Sequence, residues 1–285
     1  MSKMIALDVG GTFVKYATFV DGKIADGSQG LFPINEKGTS EEILSAILNF
    51  LKANPAEAMC VSIPGPMDYP TGTSQMKHKF ASLFGIPMKA WFEERLPGTR
   101  VDFVHDGVAF LIGVLYLKEG EGAKKPAGVM LGTGLGFGYS ENGKVLITEK
   151  GTPCGPLWNM PYRDGIAEDY ISARAIRAAY LKAAGNALDV KEIADLARKG
   201  DEISIKVLHD AGEALGELMQ MRKESAGIDR VILGGQIAKA ADLFLPAAKE
   251  KTDVEFKVTG YLDNAALYGT YAYSVYGQAL VELQA

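Results

Sequence analysis

The chain has 285 residues, 47% of them hydrophobic and 23% charged, the composition of a folded protein with one large or two medium domains. Its formal net charge of −5 argues against nucleic acid as the main partner, because a phosphate backbone is met by an excess of Lys and Arg. No apolar run approaches the ~18 residues of a membrane span, and Met1–Asp8 turns acidic before a signal-peptide core could form. Two cysteines (Cys60 and Cys154) and three scattered histidines supply neither a disulfide framework nor zinc-ligand spacing. A cytoplasmic enzyme is the expected class.

In chain order, Ile5–Val9 reads as a buried strand that runs into Gly10-Gly11-Thr12, and Val14–Val20 as a second strand. Asp21-Gly22 is a hairpin signal, and Lys23–Ala25 continues as a third strand. Thr39-Ser40-Glu41-Glu42 is a capping box, followed by Ile43, Leu44, Ile47, Leu48 and Leu51 on one helical face. Asn54-Pro55 stops that helix. Met59–Ile63 is a buried strand ended by Pro64-Gly65-Pro66, and a short helix is expected over Ala90–Leu96. The strand Val101–Val104 leads through His105-Asp106-Gly107 into a helix from Val108 to Lys118. Asp106 thus falls where a strand ends and a helix begins, the edge at which open α/β sheets bind ligands. The charged stretch Glu119–Pro126 is the expected domain boundary.

Val129–Tyr139 carries Gly132, Gly134, Gly136 and Gly138 on alternate positions, so one face of that segment has no side chains. Glycine within a strand is unfavourable by roughly 0.5–1 kcal/mol, which points either to a ligand against bare backbone or to a tightly packed hairpin. A phosphate chain is the natural ligand, since exposed N–H groups in such turns bind anions. Asn142-Gly143 is a second hairpin signal, followed by the strand Lys144–Thr148 and a Pro- and Gly-rich loop over Gly151–Asp164. Helices are expected over Gly165–Ala184, Val190–Arg198, Glu202–Glu224, Ile237–Lys251 and Asn264–Val281. Strands are expected over Asp229–Leu233, before Gly234-Gly235, and over Glu255–Val258. The order strand, glycine-hydroxyl turn, strand, hairpin, strand occurs twice, at Leu7–Gly22 and at Met130–Gly143, as in a duplicated α/β unit. No Gly-x-x-x-x-Gly-Lys-[Ser/Thr] occurs, and the glycine alternation leads into a hairpin, which excludes the dinucleotide fingerprint.

Five segments follow one another in the order and approximate spacing of the ROK sugar kinases. They are Asp8-Val9-Gly10-Gly11-Thr12, Pro64-Gly65-Pro66-Met67-Asp68, Asp106, Leu131-Gly132-Thr133-Gly134-Leu135-Gly136 and Ile232-Leu233-Gly234-Gly235. The chain resembles that family over nearly its whole length. The resemblance implies an α/β fold of two ribonuclease-H-like (actin-like ATPase) domains with a nucleotide cleft between them. With the boundary above, these would span 1–120 and 121–285, the last helix packing back on the N-terminal domain. It also implies ATP and Mg2+ as donor and metal, a hexose or hexose derivative as acceptor, no nucleic acid or membrane partner, and a homodimer.

By the same resemblance, Asp8, Gly10, Gly11, Thr12 and Lys15 match the first phosphate site, with Asp8 facing Mg2+ through water. Gly132, Thr133, Gly134 and Gly136 match the second phosphate loop, and Gly234 and Gly235 lie beneath the nucleotide. Asp106 matches the catalytic base, and Pro64, Gly65, His105 and Glu168 match positions on the sugar side. Read without the family, Asp106 would be an N-cap, Lys15 an exposed strand lysine and Glu168 an acid in a helix first turn. His78, Lys79 and Trp158 are candidate cleft residues, each with a surface or packing role as the simpler reading. The chain departs from the family where His105 replaces an Asn, Pro156 a sugar-binding Glu and Asn159 a zinc-binding His, and where the cysteine cluster is missing. No structural zinc is expected. Two alternatives follow from these departures: a ROK-like sugar- or nucleotide-binding protein with little catalysis, or a glucokinase using polyphosphate. The first strand starts by Ile5, so a repressor with an N-terminal DNA-binding domain is not expected.

Overall fold

The structure is a computed structural model that describes residues 3–284. It is mixed α/β and forms two compact units. One comprises Met1–Leu117, Lys144–Cys154 and Asn264–Ala285; the other comprises Lys118–Gly143 and Gly155–Asp263. The units are therefore not the contiguous spans 1–120 and 121–285. Residues 144–154 group with the first unit because Lys144–Ile147 pairs in parallel with a C-terminal strand, Val281–Leu283.

The first unit is built on a five-stranded sheet. Its spatial order is Lys23–Pro33, Phe13–Val20, Lys3–Val9, Ala58–Ile63 and Arg100–His105. The first three strands form an antiparallel meander, and the last two join in parallel. Asp21 and Gly22 turn the hairpin between Phe13–Val20 and Lys23–Pro33 with φ of 49° and 84°, the left-handed pair that a tight two-residue hairpin requires. The third strand runs on to Pro33, well past the expected Ala25, with a register shift opposite Ala17 and Phe19. Helix Ser40–Ala53 starts at a capping box in which Glu42 N donates to Thr39 and Thr39 N to the Glu42 carboxylate. It buries Ile43, Leu44, Ile47, Leu48 and Leu51 against the sheet, the face its periodicity marks.

On the other face lie helices Asp106–Tyr116 and Ala265–Tyr276. They cross at two glycines: a Cβ on Gly113 would overlap the Ala265 carbonyl, and one on Gly269 the Ala109 carbonyl. Tyr271 of the last helix stacks on Phe19, ring centroids 4.4 Å apart, so this tyrosine belongs to the core of the first unit. The last helix stops at Tyr276, short of the expected Val281, because Gly277 takes a positive φ of 48° that breaks the helical path.

In the second unit the strands Glu255–Val258, Arg230–Gly234, Pro126–Leu131 and Leu135–Glu141 lie side by side. The first three are parallel and the last returns antiparallel. The long helix Glu202–Ala226, ended by left-handed Gly227, packs on Ala241–Lys251 over this sheet's core. A single helix expected over Gly165–Ala184 is instead a short strand, Gly165–Ile166, and two helices, Glu168–Ile171 and Ala173–Ala184. The break is Ser172, which is extended and whose hydroxyl accepts from Ala175 N at 3.2 Å, capping the second helix. Glu119, the first residue of the expected domain boundary, is buried: Thr259 Oγ1 and Gly260 N both donate to its carboxylate.

Candidate active site

In the first unit, strand register assembles the chemistry at one sheet edge. Asp8 lies opposite Lys15 across the hairpin and opposite Ser62 on the parallel neighbour, while Ile63 faces His105. The turn between the hairpin strands is closed by Gly10 N donating to Phe13 O at 3.0 Å, with Thr12 exposed at its tip. Ser62, fully buried, donates to Asp8 Oδ1 at 3.3 Å. Burial pushes the Asp8 carboxyl up to about 6, against the pull of Lys15 and with a further push from Asp106.

Asp106 is the first residue of its helix, and the N-cap is His105. Gly107 N donates to His105 Nδ1 at 3.0 Å and to Asp106 Oδ1 at 2.7 Å. With Nδ1 accepting, the neutral imidazole carries its proton on Nε2. Burial lowers the His105 pKa, which favours that neutral form, although Asp106 opposes the shift. His105 holds the N-cap position and shares the Gly107 N–H with Asp106 Oδ1, and the second Asp106 oxygen is left for other work. Pro64 and Gly65 form the turn after strand Ala58–Ile63. Tyr69 closes under this turn: its hydroxyl donates to Ile63 O at 2.9 Å, and its ring stands edge-on to His105 at 5.6 Å.

The second unit gathers the other set. Gly132-Thr133-Gly134 is the turn between Pro126–Leu131 and Leu135–Glu141, closed by Gly132 N donating to Gly134 O at 3.1 Å. The glycines are not equally bare. A Cβ on Gly132 would meet nothing nearer than 4.0 Å. One on Gly134 would lie 2.9 Å from Glu168 Oε2, and one on Gly136 would press on Met130 at 3.1 Å. Glu168 Oε2 also accepts from Leu135 N at 2.9 Å, and Ala173 N donates to Gly132 O at 2.8 Å. The segment 168–173 therefore clamps the glycine turn. Gly234 pairs with Met130, and Gly235, at φ of 83°, sits so close to Leu131 that a side chain would strike its backbone.

Sequence reasoning missed Ser62, Tyr69 and Glu36. Ser62 is the one hydroxyl in an otherwise apolar strand, a signal that was there to read. Tyr69 and Glu36 reach the site only through the fold: the Glu36 carboxylate lies over Gly11, and Glu36 N donates to Gly11 O at 3.1 Å. Pro156 keeps a backbone role, its carbonyl accepting from Arg222 Nη2 at 2.9 Å. The hairpin Pro161–Ile166 is held by Tyr162 and Arg163, which donate to Glu217 at 2.6 and 3.1 Å.

The sequence pattern of the ROK family matches residues 4–272. The glucokinase of Thermotoga maritima is 26% identical over 281 residues, covering 87% of this chain and 86% of that protein. Among solved structures, the ROK hexokinase from Thermus thermophilus matches with a TM-score of 0.79 and 22% identity, over 96% of this chain and 100% of that one. A ROK family glucokinase from Streptomyces griseus, in complex with glucose and AMPPNP, matches with a TM-score of 0.74 and 20% identity, over 94% and 97% of the two chains.

Proposed function

The chain belongs to the ROK family, and from that premise we propose that it is a sugar kinase moving the γ-phosphoryl of ATP to a hydroxyl of a hexose or hexose derivative. One observation carries the reading: Asp106 heads its helix beside Asp8, while His105 has taken over the N-cap. A carboxylate that shares the Gly107 N–H with His105 through Oδ1 and keeps its second oxygen for a substrate, at the end of a parallel strand, is placed to accept a proton.

In this mechanism the acceptor hydroxyl lies against Asp106. As its oxygen attacks the γ-phosphorus, the proton passes to the Asp106 carboxylate, and ADP leaves with the electrons of the broken P–O bond. His105 offers its Nε2–H to an acceptor oxygen, and Tyr69 keeps the imidazole in place. In the first unit the backbone of Gly10–Thr12 offers N–H groups suited to phosphate oxygens, and in the second unit the backbone of Gly132–Gly136 does the same, with Gly234 and Gly235 of that unit assigned to the nucleotide. Asp8 suits a hard divalent cation, since its donors are carboxylate oxygens and its charge is poorly compensated where it lies. Mg2+, when bound, neutralises charge on the phosphates. Glu168 serves the phosphate loop through Leu135 N. A cytoplasmic location and a homodimer complete the proposal and rest on the family resemblance.

The test is ADP release from ATP across a panel of hexoses, N-acylhexosamines and glycosides, with and without polyphosphate. Turnover on at least one sugar, lost in Asp106→Asn, is expected. ATP binding without turnover on any sugar would favour the non-catalytic reading, and faster turnover with polyphosphate would replace ATP as donor.

A further inference from the structure

Each glycine turn has a carboxylate over its bare backbone, and the two carboxylates are used differently. In the second unit a Cβ on Gly134 would lie 2.9 Å from Glu168 Oε2. That oxygen accepts from Leu135 N at 2.9 Å, and Glu168 Oε1 lies 3.4 Å from Arg174 Nη2. In the first unit a Cβ on Gly11 would lie 2.5 Å from Glu36 Oε2 and 3.0 Å from the carboxyl carbon. Among the described residues, however, no hydrogen-bond donor and no cation pairs with the Glu36 carboxylate. Glu36 therefore holds no amide in place through its side chain, and the shape of the turn does not account for it.

The backbone puts it there. Ile34 N donates to Thr12 O at 2.9 Å and Glu36 N to Gly11 O at 3.1 Å, so the segment after the strand Lys23–Pro33 is tied to two successive carbonyls of the turn. Just past Glu36 the chain direction is set by Asn35, whose Oδ1 accepts from Lys37 N at 3.1 Å and whose carbonyl accepts from Gly38 N at 2.9 Å. Ser82 Oγ donates to Gly38 O at 2.7 Å and holds the far side of the segment. The half-buried Glu36 side chain thus leaves a fixed stretch of backbone directly over Gly11, where only a glycine gives it room.

Gly10–Thr12 is the turn assigned to phosphate, and Glu36 brings a negative charge to it. Of the strand charges next to the turn, Lys15 lies opposite Asp8 across the hairpin. A phosphate set against Gly11 meets the Glu36 carboxylate as a like charge with no partner of its own. At a spacing of ~6 Å and partial exposure, that repulsion is worth about tenfold in affinity. A divalent cation on the phosphates cancels two of their charges and removes most of the repulsion.

We infer that Glu36 is a specificity-determining residue of the donor site, whose carboxylate over Gly11 disfavours metal-free ATP and leaves the Mg2+ complex as the form that binds. This rests on the kinase reading and deepens it. Glu36 acts through its charge: no bond to it forms or breaks, and no proton moves. Glu168, its counterpart over the other glycine turn, is already paired with Leu135 N and Arg174 and exerts no such selection.

The experiment compares the wild type with Glu36→Gln, Glu36→Asp and the control Glu41→Gln, a carboxylate in the first turn of the next helix. Calorimetry measures ATP binding in excess Mg2+ and in EDTA, and thermal melting checks the fold. Wild type should bind the Mg2+ complex more tightly than metal-free ATP. Glu36→Gln should bind metal-free ATP about tenfold more tightly, while its affinity for the Mg2+ complex changes less than about threefold. Glu36→Asp, with its carboxylate drawn back by one methylene, should keep part of the preference, and Glu41→Gln should keep all of it. An unchanged ratio of the two affinities in Glu36→Gln overturns the assignment and leaves the kinase reading intact. Equal tightening of both forms also overturns it, because the carboxylate would then merely fill the phosphate seat. Wild type that binds neither form overturns the kinase reading itself.

Discussion

The two glycine hairpins are built alike and charged differently. Each lies in a sheet where a hairpin strand, a central strand and two parallel neighbours follow in the same order. Each also hands on to a tight second turn, Asp21-Gly22 and Asn142-Gly143, with both residues left-handed. In the first hairpin the charges are on the strands themselves, Asp8 opposite Lys15. In the second the only strand charge is Glu141, at the end far from the turn, and the carboxylate at the turn comes from Glu168, 33 residues on from the Leu135 amide it accepts from. The parallel neighbours differ in the same way: one ends at His105 and Asp106, its counterpart at Val258 and Thr259, whose hydroxyl is spent on Glu119. One unit of the repeat has carboxylates at its strand ends, where the proposed proton and metal chemistry would lie, and the other uses a carboxylate to hold a backbone turn in shape.

The largest test of that division is Asp106→Asn. Asparagine retains an acceptor for Gly107 N, so the helix start should survive and the melting temperature should change little. Turnover should fall by about 10²- to 10⁴-fold because the proton acceptor is gone. Nucleotide KM should stay nearly constant. Near-normal kcat in a well-folded variant would move the base elsewhere.

Asp8 gives the next effect, and it can be read without a sugar. Its carboxyl is raised from 3.8 to about 6, so between these values the folded chain binds more protons than the unfolded chain. Stability should therefore fall as pH rises through that window, and the destabilisation should be complete above about pH 6. The rise corresponds to at most ~3 kcal/mol. Asp8→Asn should accordingly be more stable than wild type at pH 7 and lose its advantage near pH 4. Added Mg2+ should raise the melting temperature of wild type but not of the variant. A variant no more stable than wild type at pH 7 would mean that the burial is compensated in a way the Lys15 and Ser62 contacts do not show.

How much could be read beforehand depends on whether a residue is placed by its own stretch of chain or by a distant one. Asp8, Lys15 and Asp106 are placed by strand register and a strand end, and both are local, so sequence pattern reaches them. The capping box at Thr39 and the left-handed hairpin turns were legible for the same reason. Tyr69 under His105, Glu36 over Gly11 and the buried Glu119 depend on contacts between distant segments, which no spacing announces. The bare glycine face was a partial truth. Gly132 is open, whereas the spaces over Gly134 and Gly136 are filled by Glu168 and Met130. Alternation predicts which face lacks side chains and cannot predict what a neighbouring element lays upon it.

Glu168 is the smallest effect and the finest discriminator, because the resemblance assigns it to the sugar while its hydrogen bond assigns it to the phosphate loop. Truncation in Glu168→Ala leaves Leu135 N without its acceptor and frees Gly134 to move. Losing one charge-assisted bond of ~1.5 kcal/mol should raise nucleotide KM about tenfold, with less change in kcat. Glu168→Gln keeps an oxygen for the amide and removes a negative charge from beside the phosphates, so its nucleotide KM should stay close to wild type. A sugar contact would give the opposite pattern: acceptor KM would rise in both variants and nucleotide KM in neither. If acceptor and nucleotide KM rise together in the alanine variant, one carboxylate serves both, and the second hairpin would hold by packing a dual role of the kind proposed for the first.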